Sequence, residues 1–126
     1  ALVVHAVDGL DEISLAGETV VAELKEGAIS EYRITAADAG LTPQSLDGLQ
    51  VNSAAQSMTL IQAAFAGENL KAIDMIALNA GAAIYAADLA DTLKEGVGMA
   101  KEAILSGAAA AKMTQLAQFT QGFKGA

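Results

Sequence analysis

The stretch ALVVHAVDGLDEISLAGET, residues 1–19, decides the fold, because it joins a short β-strand to an acidic loop. Leu2-Val3-Val4 is rich in β-branched residues, which is typical of a strand buried on both faces, as in a parallel sheet. Asp8-Gly9 is a strong turn signal, and the loop continues through Leu10-Asp11-Glu12. A loop that follows the carboxyl end of a strand is where α/β sheets bind ligands. The sequence therefore predicts an α/β protein whose candidate site is this loop.

The acidic loop carries the chemistry for which the residues give the strongest signal. Magnesium prefers oxygen ligands and typically takes one or two protein carboxylates together with phosphate oxygens and water. Asp11 and Glu12 are adjacent, and in a turn such carboxylates can converge, whereas in a regular strand they would point apart. A solvated acidic turn is the alternative that the residues leave open. Asp8, which precedes a glycine, is expected to shape the turn.

A β-hairpin and a single helical turn are predicted after the loop. Apolar and polar residues alternate on both sides of the Glu26-Gly27 turn, and this period of two marks strands with one dry face and one wet face. Thr35 to Asp38 match a capping box that Gly40 ends after about one turn. Residues 42–52 then form a linker-like loop. The alternating apolar positions are Val20, Ala22, Leu24, Tyr32 and Ile34, and the polar ones are Thr19, Glu23, Lys25, Glu31 and Arg33.

Four helices are predicted from Ser53 to Gly122, where the apolar period becomes helical. Ser53 with Gln56 forms a capping box for the first helix, and Asp91 is expected to cap the third. The apolar stretch 72–90 predicts a central buried helix rather than a membrane span, because burying its charged groups in hydrocarbon would cost about 3 kcal/mol each. The fourth helix has an apolar stripe of Met113, Leu116 and Phe119.

The composition and charge limit the class of protein. A chain of 126 residues with 53% hydrophobic and 4% aromatic residues suits one domain of closely packed helices. Because there is no cysteine, neither a disulfide nor a thiolate metal site can form, which fits the cytoplasm. The net charge is −8, and nine acids against Lys25 and Arg33 put −7 of it before Gly48. Such a surface disfavours direct nucleic-acid binding.

Two segments resemble the anthranilate phosphoribosyltransferase family. In that family a segment of the form VVHG-x-DGLDE-[IL]-[ST] precedes a glycine-containing turn and a hairpin, and residues 1–19 are similar to it. Residues 77–109, ALNAGAAIYAADLADTLKEGVGMAKEAILSGAA, resemble the family's C-terminal helices, in which an LNA-A-LY run precedes a Leu-x-Glu-Gly helix and a Ser-Gly boundary. The likeness runs from about Leu2 to Leu116, with both segments in order and at matching spacing.

The resemblance implies a specific activity and a metal. The family's Asp-Glu pair holds the magnesium ions that bridge phosphoribosyl pyrophosphate, and by position this pair is Asp11 and Glu12. The implied reaction transfers the phosphoribosyl group to anthranilate in tryptophan biosynthesis. The metals neutralise the departing pyrophosphate while the anthranilate amine attacks the anomeric carbon. The resemblance also implies a homodimer, formed largely through an N-terminal helical domain.

The resemblance further implies that residues 1–126 are the C-terminal portion of a large α/β catalytic domain. This portion would contain one sheet strand, a β-hairpin and about four helices of a phosphoribosyltransferase or nucleoside-phosphorylase-like fold. The family's GTGGD-like pyrophosphate loop, its Lys-His-Gly-Asn motif and its anthranilate-binding residues are absent from this sequence and precede DGLDE in the family. We therefore expect the N-terminal part of the same protein to be a partner, and we assign no catalytic residue in this chain. His5-Ala6 also departs from the family's His-Gly.

Two other functions stay open at this point. One is a nucleoside phosphorylase of the same architecture, and the other is a non-catalytic relative that binds nucleic acid, although the charge opposes the latter. His5, at a buried strand end, is expected to be structural, with contact to the acidic-loop site as the alternative. Asn79 is expected to bond to nearby backbone, with a functional role as the alternative. The four methionines are expected to fill the core; they are Met58, Met75, Met99 and Met113.

Overall fold

Three strands precede a short 3-10 helix and four α-helices in a computed structural model that describes residues 1–123. The order of elements agrees with the predicted order, and the α/β class is confirmed. The strands are β1 Leu2–Ala6, β2 Thr19–Lys25 and β3 Ala28–Ile34. The 3-10 helix is Ala36–Ala39, and the helices are α1 Ala54–Phe65, α2 Leu70–Ala86, α3 Leu93–Leu105 and α4 Ala108–Gln121.

The strands form one antiparallel sheet in the order β1-β2-β3, so the prediction of a parallel-type strand buried on both faces is wrong. β1 pairs with β2 from Leu2 opposite Glu23 to Ala6 opposite Thr19. Burial alternates along β1, with Val3 71% exposed and Ala6 fully buried. A run of three β-branched or aliphatic residues suits a half-buried strand as well as a fully buried one, and composition alone does not separate the two.

The hairpin and its turn are confirmed, but the dry face of β2 is the opposite of the predicted one. Thr19 and Val21 face the helices and are buried, whereas Leu24 is 47% exposed. Thr19 tolerates burial because its hydroxyl oxygen accepts a hydrogen bond from the Ser14 amide at 3.1 Å. Both faces of β2 contain apolar residues, and this polar contact with the preceding loop places Thr19 on the inside.

The hairpin turn provides a test of local backbone strain. Glu26 and Gly27 form a two-residue turn with φ values of 51° and 79°, a left-handed conformation that Asn adopts more readily than Glu. Glu26→Asn is expected to recover part of the roughly 1 kcal/mol that this conformation costs a long side chain. The check is a rise in the urea midpoint of unfolding at constant slope. Glu26→Gln removes the charge and keeps the shape, so an equal gain in that control would contradict backbone strain as the cause.

Helix α2 is the central helix, as predicted, and its polar side chains bond to neighbouring elements. Asp74 accepts from Lys101 of α3 at 2.7 Å and from the Gln44 side chain at 3.0 Å. Tyr85 donates to Glu23 of the hairpin at 2.8 Å. This bond is the main cause that lowers the pKa of the Glu23 carboxyl. The buried residues of α2 are Ala72, Ile73, Ala77, Leu78, Gly81 and Ala82.

The N-terminal cap of α1 is the predicted residue, whereas that of α3 lies one residue after the predicted one. Ser53 caps α1 by accepting from the Gln56 amide, as predicted, but the Gln56 side chain accepts from the amide of Asn52. α3 is capped by Thr92 with Glu95 in a complete capping box, so the prediction that Asp91 is the cap is wrong by one residue. Thr92 is the cap because its hydroxyl has Glu95 three residues ahead, and this spacing lets both side chains satisfy free amides.

Helix α4 packs loosely, and its predicted stripe is mostly exposed. Leu116 is 60% exposed and Phe119 is 68% exposed, and no residue of α4 is buried. The prediction that the methionines fill the core is wrong for Met58 and Met99, which are 44% and 43% exposed. Among the helices of residues 1–123, none is long and apolar enough to cross a membrane.

Candidate acidic-loop site

The start of the acidic loop, defined as Asp8 to Glu12, is fixed by its own backbone. The Ala6 amide donates to the carbonyl of Leu10 at 3.1 Å, and the Gly9 amide donates to the carbonyl of Ala6 at 3.0 Å. Gly9 has a φ of 99°, a conformation that favours glycine, so the turn requires glycine at this position. The chain therefore turns back directly after β1, and the Ala6 amide holds the Leu10 carbonyl in place.

The Asp8 carboxylate accepts two hydrogen bonds, one from within the loop and one from Ser14 just after it. One of its oxygens accepts from the Leu10 amide at 3.3 Å, and the other accepts a short hydrogen bond from the hydroxyl of Ser14. The Ser14 hydroxyl oxygen in turn accepts from the Ala16 amide at 3.0 Å. Ser14 is fully buried, and these bonds satisfy its polar atoms. The prediction that Asp8 shapes the turn is confirmed.

The end of the loop is fixed by a side chain from the central helix. The Asn79 amide oxygen accepts from the Ile13 N–H at 2.8 Å, and its amide nitrogen donates to the Ile13 carbonyl at 3.0 Å. The same nitrogen donates to the carbonyl of Met75 at 3.2 Å, one turn earlier in α2. The prediction that Asn79 bonds to backbone is confirmed. Its partner Ile13, however, is 66 positions away, which local sequence spacing does not reveal.

Asp11 and Glu12 lie between these two fixed points and both are exposed. Within residues 1–123 neither carboxylate accepts a hydrogen bond, and no three His, Cys, Asp or Glu side chains converge into a metal cluster. Two uncommitted carboxylates on a fixed backbone fit magnesium, which takes few protein ligands and completes its shell with phosphate oxygens and water. The donor set is therefore chemically suitable for a magnesium ion that a phosphorylated ligand also holds.

The loop forms one wall of an apolar cleft with a volume of about 530 Å³. Its polar lining residues are Asp8 and Glu12 of the loop together with Gln50 and Ser57. No sequence signal indicates this cleft, because the composition of residues 42–52 predicts only a linker. That segment instead packs Leu46 and Leu49 against the core. Beside Leu10 of the loop, the aliphatic residues that line the cleft are Leu46, Leu49, Val51, Leu60, Ile61, Ala72, Met75 and Ile76.

His5 does not occupy the position that the sequence predicts. His5 is exposed in β1, where it lies opposite Val20 of β2. It is therefore neither a buried structural histidine nor a member of the acidic loop. Alternation along β1 is the reason, since Val4 and Ala6 face the helices and His5 lies between them. The residues that the sequence missed are Ser14 and Thr19, whose burial as polar side chains has no local sequence signal.

Comparisons with known proteins agree on one enzyme. Anthranilate phosphoribosyltransferase from Hahella chejuensis is 61% identical over 127 residues, which cover 98% of this chain and 37% of that protein. The crystal structure of anthranilate phosphoribosyltransferase from Thermus thermophilus has a TM-score of 0.83 at 34% identity, covering 96% of this chain and 36% of that one. The Saccharomyces cerevisiae enzyme in complex with PRPP and Mg shares the fold, with a TM-score of 0.71 at 22% identity, over 84% of this chain and 31% of that one.

The chain spans a little over a third of the length of the curated relatives that it matches. The resemblance drawn from residues 1–19 and 77–109 is thus confirmed by relatives that align with nearly all of the chain. The family model described as "Glycosyl transferase family, a/b domain" matches residues 1–110. Because that match covers most of its length, the chain belongs to the glycosyl transferase family, a/b domain.

Proposed function

We propose that this chain is part of an anthranilate phosphoribosyltransferase. The complete enzyme would transfer phosphoribosyl from phosphoribosyl pyrophosphate to anthranilate and release pyrophosphate. The observation that carries the proposal is the 61% identity to such an enzyme over 98% of the chain. The anchored Asp11-Glu12 pair supports it, because the chemistry of a pyrophosphate leaving group calls for a divalent cation held by few protein ligands.

The residues of this chain would supply the metal-holding half of the site. Asp11 and Glu12 would hold magnesium, which when bound neutralises charge on the pyrophosphate as it leaves. The yeast relative was solved with PRPP and Mg, which is consistent with this role. Asp8 and Ser14 would keep the turn closed, so that the two carboxylates do not have to be ordered when the ligand arrives. No step requires a nucleophile from the protein.

The complete enzyme is further proposed to be a cytoplasmic homodimer whose remaining residues bind the phosphates and anthranilate. The absence of cysteine from the chain is consistent with a reducing compartment. Residues 1–126 would then be the C-terminal portion of the catalytic domain, and the remainder of the protein would be its partner. The net charge of −8 supports a site that meets phosphates through a metal ion and opposes nucleic-acid binding.

A substrate comparison tests the proposed reaction. The complete enzyme is incubated with anthranilate and phosphoribosyl pyrophosphate, and separately with thymidine and phosphate, and the products are quantified. Formation of phosphoribosylanthranilate with pyrophosphate is the expected result. Cleavage of thymidine by phosphate, with no phosphoribosylanthranilate formed, would instead indicate a nucleoside phosphorylase and would contradict the proposal.

The 126-residue chain by itself is expected to be inactive. It contains the carboxylate pair but no glycine-rich loop of the GTGGD type that could cradle a pyrophosphate. The measurement is turnover of anthranilate and phosphoribosyl pyrophosphate by the purified chain, with the complete enzyme as positive control. Turnover in a sample whose intact mass shows no longer chain would contradict this expectation.

A further inference from the structure

We infer that Asn79 is a positioning residue that sets the backbone geometry of the Asp11-Glu12 pair, an inference that rests on the proposed function. Within residues 1–123 the Asn79 side chain makes no hydrogen bond to either carboxylate. It holds the residue that follows Glu12, through hydrogen bonds to both the N–H and the carbonyl of Ile13. Its role would be to fix where the two metal-holding side chains leave the main chain.

The bonding of Asn79 to Ile13 imitates the pairing of one strand residue with another. One side-chain amide meets a backbone donor at 2.8 Å and a backbone acceptor at 3.0 Å on the same residue. Among side chains of this size only an amide offers both an acceptor and two donors in one plane. The second donor is used by the Met75 carbonyl at 3.2 Å, which ties the amide plane to its own helix.

The loop leaves little else to determine the positions of the carboxylates. At its start the Leu10 carbonyl is held by the Ala6 amide, and at its end Ile13 is held by Asn79. Asp11 and Glu12 are the two residues between these points, and both are exposed. The Ile13 side chain is only 1% exposed and packs in the core, so its backbone has a fixed location as well as a fixed orientation.

Loss of the Asn79 amide is therefore expected to leave Asp11 and Glu12 in place but to make their backbone positions less fixed. Partners that orient metal ligands typically change metal affinity or activity by about 10- to 100-fold when they are replaced. In the complete enzyme, Asn79→Ala is expected to raise the magnesium concentration for half-maximal activity about 10-fold. The maximal rate at saturating magnesium is expected to change much less, because Asp11 and Glu12 are still present.

The chain offers a matched control for this substitution on the same helix. Asn69 caps α2 by accepting from the Ala72 amide at 3.0 Å, and it makes no hydrogen bond to the acidic loop. Asn69→Ala removes the same amide and also weakens the helix, so it reports what a purely structural loss does. Its half-saturating magnesium concentration is expected to equal that of the wild type.

A second readout does not depend on activity. Hydrogen–deuterium exchange of the metal-free complete enzyme is followed by mass spectrometry in peptides covering residues 8–15. Asn79→Ala is expected to speed exchange there, because the Ile13 amide loses its acceptor, whereas Asn69→Ala should speed exchange only at the start of α2. If Asn79→Ala does not fold, Asn79→Asp keeps the side-chain shape and the acceptor for the Ile13 amide but loses both donors, to the Ile13 and Met75 carbonyls. It should also raise the half-saturating magnesium concentration.

The outcomes separate this inference from the proposed function. Faster loop exchange with an unchanged magnesium requirement would make Asn79 a structural residue only and would overturn the inference alone. An equal rise in the magnesium requirement for Asn69→Ala would overturn it in the same way. A wild-type magnesium response after replacement of both Asp11 and Glu12 would overturn the assigned metal role, and the inference with it.

Discussion

Replacement of Asp11 by Asn together with Glu12 by Gln in the complete enzyme is expected to lower kcat/KM about 1000-fold. The loss corresponds to about 4 kcal/mol, the scale of charge stabilisation that a bound metal ion gives a transition state. Both substitutions keep the size of the side chain, so the loop should retain its fold. The structural reason is that neither carboxylate is used within residues 1–123 to hold the loop, which Asp8, Ser14 and Asn79 do instead.

The measurement is a series of steady-state rates across a magnesium titration. The double variant is expected to lose the magnesium dependence as well as the rate, while its thermal unfolding midpoint stays within a few degrees of the wild type. Asp91→Asn with Glu102→Gln is the matched control, since both residues are exposed and the change in net charge is the same. Wild-type kinetics in the Asp11/Glu12 variant at all magnesium concentrations would contradict the assigned metal role.

The amino-acid sequence is sufficient to predict the order of the elements and the acidic loop. Turn and capping signals act over a few residues, so Asp8-Gly9, Glu26-Gly27 and the Thr35–Asp38 box can all be located from sequence alone. The same locality explains why Asn79 is expected to bond to backbone. Which backbone it bonds to depends on how α2 lies against the loop, and no spacing in the chain encodes that contact.

The features that the sequence does not predict are those set by packing between distant segments. β2 has apolar residues on both faces, and the contact of Thr19 with Ser14 decides which face is inside. The cleft beside the acidic loop exists because residues 42–52 pack against α1 and α2, whereas the sequence predicts a linker-like loop. A five-residue strand is likewise too short for the alternation of its side chains to predict that His5 is on the exposed face of the sheet.

A close approach of α2 and α3 leads to the second prediction, in which Gly96→Ala destabilises the fold by about 3 kcal/mol. A methyl group on Gly96 would overlap the carbonyl oxygen of Gly81, with the Gly81 carbonyl carbon 3.1 Å away. The reverse contact is equally tight, because a methyl group on Gly81 would lie 2.5 Å from the backbone nitrogen of Val97. Since both neighbours are backbone atoms, no side chain can rotate away, and the helices would have to separate.

Gly98 supplies the matched control for Gly96, because it lies two residues further along α3 and turns away from α2. No atom lies within 4 Å of a methyl group placed there, so Gly98→Ala should stabilise the helix by about 1 kcal/mol. Urea denaturation of both variants measures the difference, which is expected to be about 4 kcal/mol in total. Similar midpoints for the two variants would contradict the close contact. A helix with two glycines two residues apart cannot place both on one face, so only the packing of α3 on α2 determines which of them must remain glycine.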